Sequence, residues 1–240
     1  MMRLERVKQR AEQLVASFEH FLVEFDQHTP FTRPGQLECH LRTIRRRREF
    51  GGVEAAVGDT AFVRSLWDTL RAWGIGSRAS RLAPLDLFHQ AIVSKLPHLK
   101  NLESLSIDSP DLNTEATATE IWLLIDRLGI VENDATLVPC TKALHHLLPD
   151  LIVPMDRAYT RRFFAWDIPE FQYQQKKVFI EAFRYFAAIA RDVSPGRHVG
   201  AGWRTSRTKI LDNALVGYCL EKGLGGPSRR ERLSYLRHDQ

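Results

Sequence analysis

Only three cysteines occur in the 240 residues, Cys39, Cys140 and Cys219, far apart and odd in number. That argues against a disulfide framework and against a clustered zinc site, and it points to a reducing compartment. His-Glu-x-x-His and Cys-x-x-Cys are both missing. Linear spacing therefore offers no metal site, and no cofactor is implied. Charges interrupt the N-terminal stretch from Arg3 onward, so it lacks the pattern of a signal peptide. No apolar run approaches the ~20 residues that span a bilayer. Strand-like alternation, internal repeats and low-complexity tracts are absent too. The expectation is a cytoplasmic protein, monomeric and away from membranes.

What is present is ordinary globular composition, 44% apolar and 26% charged. The chain is long enough to bury a core without staples. The net charge of +5 favours anionic partners. The cations are clustered: Arg45 to Arg48 form a block, Arg157, Arg161 and Arg162 follow Asp156, Arg204 and Arg207 adjoin Lys209, and Arg229, Arg230 and Arg232 crowd the end. Such clusters suit a nucleic acid, or they are solvated helix faces.

The periodicity predicts an all-α, multi-helix fold with a groove between helical subdomains. Leu4, Val7, Ala11, Leu14, Phe18, Phe21, Leu22 and Phe25 recur at helical spacing over 3–25. Further helices are expected at 36–48, from an Asp59 cap to Trp73, from Pro84 to about Val93, and from an Asn113 cap to Leu128. Others are expected at 135–147, 155–165, 169–192 and 206–222. The chain reads as one unit over 1–240. Within it lie a central segment 60–165, flanking helices 1–59 with 166–222, and a basic tail 223–240.

The stretch with the most specific chemistry runs from Val138 to Thr160. A helix carries Lys142 near its start, a proline-bounded loop follows, and Asp156 opens the next element. That layout can bring an amine and a carboxylate to one mouth. A carboxylate beside a sugar can stabilise oxocarbenium character or activate water. A lysine of depressed pKa can attack the anomeric carbon. Asp156 can equally be a plain helix cap.

Thr141-Lys142-Ala143 at a helix start, followed by Val153-Pro154-Met155-Asp156, resembles the helix-hairpin-helix DNA glycosylases, nearest the branch similar to 8-oxoguanine glycosylases. The recognisable motif covers about 136–163. In that family a glycine-rich hairpin precedes the lysine; its place here falls on Leu137-Val138-Pro139-Cys140-Thr141, without glycine. The resemblance implies a base-flipping enzyme acting on DNA that cleaves an N-glycosidic bond, in repair or in defence against phage DNA with hypermodified bases. Asp156 would be the catalytic carboxylate, and Lys142 a nucleophile or pocket cation. The alternatives are a non-catalytic helical DNA-binding protein and a helical interaction module.

Around that pair, His145, His146, Trp73, Tyr159 and Trp203 are candidates for the base pocket. Arg46, Arg47, Arg78, Arg157, Arg161, Arg204 and Lys209 are candidates for DNA contact. Ile75 or Arg78, in the loop after Trp73, can serve as the wedge that fills the gap left by an extruded base.

Overall fold

The computed structural model describes residues 3–76 and 80–225. Their regular structure is helical, apart from one isolated bridge between Leu82 and Val131. The first expected helix is two, α1 (Arg3–Ala16) and α2 (Phe18–His28), because the backbone leaves helical geometry at Ser17. Then come α3 (Gln36–Glu49), α4 (Val53–Gly58), α5 (Thr60–Ala72), α6 (Leu85–Val93) and α7 (Leu96–Leu102). The short α4 and α7 lie outside the sequence expectation; each is too brief to display a period.

The caps that the sequence marks are formed. The carboxylate of Asp59 accepts from the Phe62 amide at 2.5 Å, and Asn113 accepts from Ala116 at 3.1 Å at the start of α8 (Thr114–Arg127). Each satisfies one of the orphan donors of a helix start. α9 (Leu137–Leu147) begins where the family's hairpin was expected: Leu137 to Thr141 form its opening turns rather than a hairpin. Its first amide, at Leu137, donates to Gln175 Oε1 at 2.8 Å. One of the free amides at the helix start is thus taken by a side chain.

Beyond α9 lies irregular chain to Tyr159, then α10 (Thr160–Phe163), much shorter than the expected 155–165. The aromatic-rich stretch divides at Gln174 into α11 (Ile168–Tyr173) and α12 (Gln175–Val193). A 3-10 turn at Pro195–His198 leads to α13 (Arg207–Glu221).

α13 is the axis of the molecule. Every residue from Thr208 to Cys219 is buried, so it has no solvent face. One apolar cluster runs from Val7 to Cys219, so the central segment and its flanking helices share a single core. α2 lies along α13 closely enough that glycine is required at Gly217. A Cβ there would overlap the Phe21 carbonyl oxygen and stand 3.1 Å from the Phe25 amide nitrogen. None of the helices among the described residues is long and apolar enough to cross a membrane. The basic residues Arg229, Arg230 and Arg232 lie outside the described residues.

Gly217→Ala is therefore expected to destabilise the fold by about 3 kcal/mol or more, through overpacking against backbone that cannot yield. Gly58→Ala, with open space around its Cβ, is expected to shift stability by less than about 1 kcal/mol. Urea unfolding of both variants checks this; equal effects would refute the close approach of α2 and α13.

Candidate functional site

Lys142 stands in the second turn of α9. The loop after α9 doubles back so that Met155 donates its amide to Thr141 Oγ1 at 3.2 Å, one residue from Lys142. Asp156 follows. Its Oδ1 accepts from the amides of Tyr159 at 2.5 Å and Thr160 at 3.3 Å, while its own amide donates to Thr160 Oγ1 at 2.9 Å. The cap role is thus real, but it occupies one carboxylate oxygen. Among the described residues Oδ2 has no hydrogen-bond partner.

Lys142 and Asp156 line one cleft of about 380 Å³, its open mouth included. Lys209 and Asp212, both from α13, complete a set of four charges, and Phe31, Trp73 and Trp203 supply aromatic walls. Lys209 is almost fully buried. Its Nζ donates to Asp212 Oδ2 at 2.5 Å and lies 5.0 Å from the ring centres of both Phe31 and Trp203. The faces of Phe25 and Trp73 are at 5.5 and 5.9 Å. Four aromatic faces and a carboxylate replace the water that this ammonium loses. Lys142 Nζ sits 5.5 Å from the ring of Trp73. Desolvation pulls its pKa below the usual lysine value; Asp156 and Asp212 oppose that pull and Lys209 adds to it. Burial pushes the carboxyl of Asp212 up, with Lys209 opposing and Asp156 reinforcing.

Of the pocket candidates, Trp73 and Trp203 do line the cleft. Tyr159 lies behind it, buried edge-on against Phe31, and burial pushes its hydroxyl up to about 12. His145 and His146 do not line it: both are fully buried on the inner side of α9. Being about 100° apart on the helix, they diverge around a third imidazole, His40 of α3, whose Nδ1 is 2.9 Å from His146 Nε2. One ring nitrogen from each of the three lies within 4.8 Å of the others, a possible metal-ligating set that linear spacing hid. Burial holds His40 and His145 well below the usual imidazole range and pushes His146 down to about 4.

Several expected DNA contacts are committed inside the molecule. Arg47 is buried, donating to the Leu147 carbonyl at 2.9 Å and to Glu103 at 2.5 Å. Arg204 pairs with Asp26 at 2.6 Å, and Lys209 is the buried cation just described. Arg161 donates to the carbonyl of Trp166 at 3.0 Å. Arg46 is half-buried and Arg157 exposed, next to Asp156 in sequence. Ile75 belongs to the core, so it is no wedge; Arg78 lies outside the described residues.

Sequence reasoning missed Phe31 and Gln36, which line the cleft, and His40 behind it, and it gave Asp212 no role. Phe31 carried a signal, as an aromatic between the loop prolines Pro30 and Pro34. No family model matches the chain, and no curated protein or solved structure matches it.

Removing Lys209 leaves Asp212 as a lone buried charge. Lys209→Met is expected to cost about 3–5 kcal/mol at neutral pH. The folded pKa of Asp212 is raised above its unfolded value, so its stabilising contribution is lost as pH rises through that window. The deficit of Lys209→Met should therefore shrink as the pH is lowered from neutral and Asp212 takes up a proton, the more readily because Lys209 no longer opposes the upward push of burial. Urea unfolding at neutral and mildly acidic pH measures this, and a pH-independent deficit would refute it.

Proposed function

We propose that this chain is a DNA glycosylase that takes a flipped, modified base into the cleft between α9 and α13. The observation that carries the reading is the meeting of Lys142 and Asp156 in one aromatic-walled cleft. A flipped base is planar and stacks on rings such as Trp73, Trp203 and Phe31. At the sugar, the backbone amides that hold Asp156 Oδ1 leave Oδ2 for the reacting centre. In the hydrolytic route, Oδ2 takes a proton from water as its oxygen bonds to the anomeric carbon and the bond to the base breaks. The ammonium group of Lys142 stabilises the charge that builds on the departing base. In the alternative route, neutral Lys142 attacks the anomeric carbon as the bond to the base breaks, the base leaves with the proton that the amine sheds, and opening of the sugar ring gives the imine that borohydride reduces. The depressed pKa of Lys142 enlarges the neutral fraction. Of the arginines expected to contact DNA, Arg157 is exposed and Arg46 half-buried, which leaves both open to phosphates. The occupied charges of Arg47 and Arg204 weigh against the reading of a purely electrostatic DNA binder.

The test is base release from duplexes that each carry one oxidised, deaminated, alkylated or hypermodified base. Wild type should leave abasic sites on at least one of them. Asp156→Asn keeps an oxygen acceptor for the Tyr159 and Thr160 amides, so it should fold, yet lose about 10²-fold or more in rate. Equal rates would remove Asp156 from the chemistry. Salt-dependent binding without release on any duplex would favour the non-catalytic alternative.

Borohydride trapping separates the two routes. If Lys142 attacks, the trapped adduct should increase with pH through a midpoint below the ordinary lysine value of about 10.4. It should vanish in Lys142→Gln. Release without any adduct assigns the hydrolytic route.

A further inference from the structure

Behind the cleft, three imidazoles meet in the core with their hydrogen bonds fixing where the lone pairs point. His146 Nδ1 is 2.8 Å from the Lys142 carbonyl, which only accepts, so Nδ1 carries the hydrogen and Nε2 presents a lone pair. That lone pair receives the Nδ1 hydrogen of His40 at 2.9 Å, and His40 Nε2 in turn faces Thr205 Oγ1 at 2.8 Å. In His145, Nδ1 donates toward the Ile152 carbonyl at 3.1 Å and Thr208 Oγ1 at 2.9 Å. The Thr208 hydroxyl is itself donating to the Pro149 carbonyl at 2.6 Å, which leaves its oxygen to accept. His145 Nε2 is left as a buried lone pair with no partner.

An unpaired acceptor in a dry core costs about 1–3 kcal/mol. Here it lies on a fully buried ring beside two more imidazoles, His146 with a lone pair on Nε2 and His40 with the hydrogen on Nδ1 that this lone pair accepts. We propose that His40, His145 and His146 bind one divalent transition-metal ion that prefers imidazole, zinc foremost, clamping α3 to α9 behind the cleft. The ligand atoms would be Nε2 of His145, Nε2 of His146 and Nδ1 of His40.

Each ligand already has the outer partner that orients a metal-bound histidine: Ile152 and Thr208 for His145, Lys142 for His146, Thr205 for His40. Entry of the ion requires one proton to move, from Nδ1 to Nε2 of His40, and the Thr205 hydroxyl, which donates to that nitrogen, to turn so that its oxygen accepts the new N–H. No proton is released and nothing is oxidised, because burial already keeps the rings neutral, the form that ligates. The 4.8 Å spread of the nitrogens must close to about 3.4 Å for tetrahedral bonds of about 2.0–2.1 Å. Lys209, whose field reaches all three rings, has its own counterion in Asp212. Three nitrogen ligands from two helices suit zinc better than calcium or magnesium, which take oxygen.

The full chain, stripped with chelator and shown by circular dichroism to be folded, is titrated with cobalt(II) and with zinc(II). One equivalent of cobalt should bind with the visible d–d bands of a nitrogen-ligated centre, zinc should displace it, and zinc should raise Tm. His145→Phe keeps a ring in the stack and removes the unpaired nitrogen, so the bands should vanish while the helical signal stays. A folded wild type that takes up neither ion overturns the proposal, as does His145→Phe with unchanged bands. If His145→Phe fails to fold, the wild-type titration decides alone. Metal uptake is read without DNA, so its failure leaves the glycosylase reading standing, and absent base release leaves the metal site standing.

Discussion

The protein must keep an ammonium group inside its own core. Lys209 emerges from a helix with no solvent face, and bare burial of its charge would cost more than a domain's entire stability margin. Much of the architecture around the cleft answers that demand. Asp212, one turn along α13, supplies the opposite charge. Phe25 comes from α2, Phe31 from the loop beyond it, Trp73 from the end of α5 and Trp203 from the loop before α13, each offering a ring face. Asn213 then fixes that last loop by donating to the Trp203 carbonyl at 3.0 Å. The groups that solvate one lysine from within are in large part the same groups that wall the cleft.

This gives the cleft a graded electrostatic character. At its inner end, Lys209 and Asp212 neutralise each other and are held by packing. Nearer the mouth, Lys142 and Asp156 feel each other's fields without a direct hydrogen bond, and both remain partly exposed. The outer pair is thus not joined in a direct ion pair, whereas the inner pair is closed on itself. The inner pair still acts on the outer one: Lys209 depresses Lys142, and Asp212 restrains that depression.

Helix positions were legible because amphipathic periods and caps are local. Asp59 and Asn113 announce their helices within four residues, and the structure forms both caps. The meeting of Lys142 with Asp156 was legible for a related reason, since a short proline-bounded loop leaves few ways to part them. What could not be read was long-range. His40 lies 106 residues from His146, and nothing in the spacing of either points to the other. Arg47 and Arg204 looked like surface charge because sequence shows a guanidinium but not the carbonyl or carboxylate waiting for it across the fold. α13 was expected as one of the flanking helices, with Lys209 as a DNA contact, whereas it is buried all round. Its polar residues lie on several sides, which hides the all-round burial that a purely apolar helix would advertise.

The aromatic walls have a further consequence, an optical one. Two of the five tryptophans, Trp73 and Trp203, face the cleft, their rings 6.2 Å apart and each within cation–π reach of Lys209. Trp166, by contrast, is sealed in the core against Phe164. The molecule thus carries two indoles at the cleft wall and one that is shielded from it. A molecule bound in the cleft would change the emission of the first two and leave that of Trp166 as an internal reference.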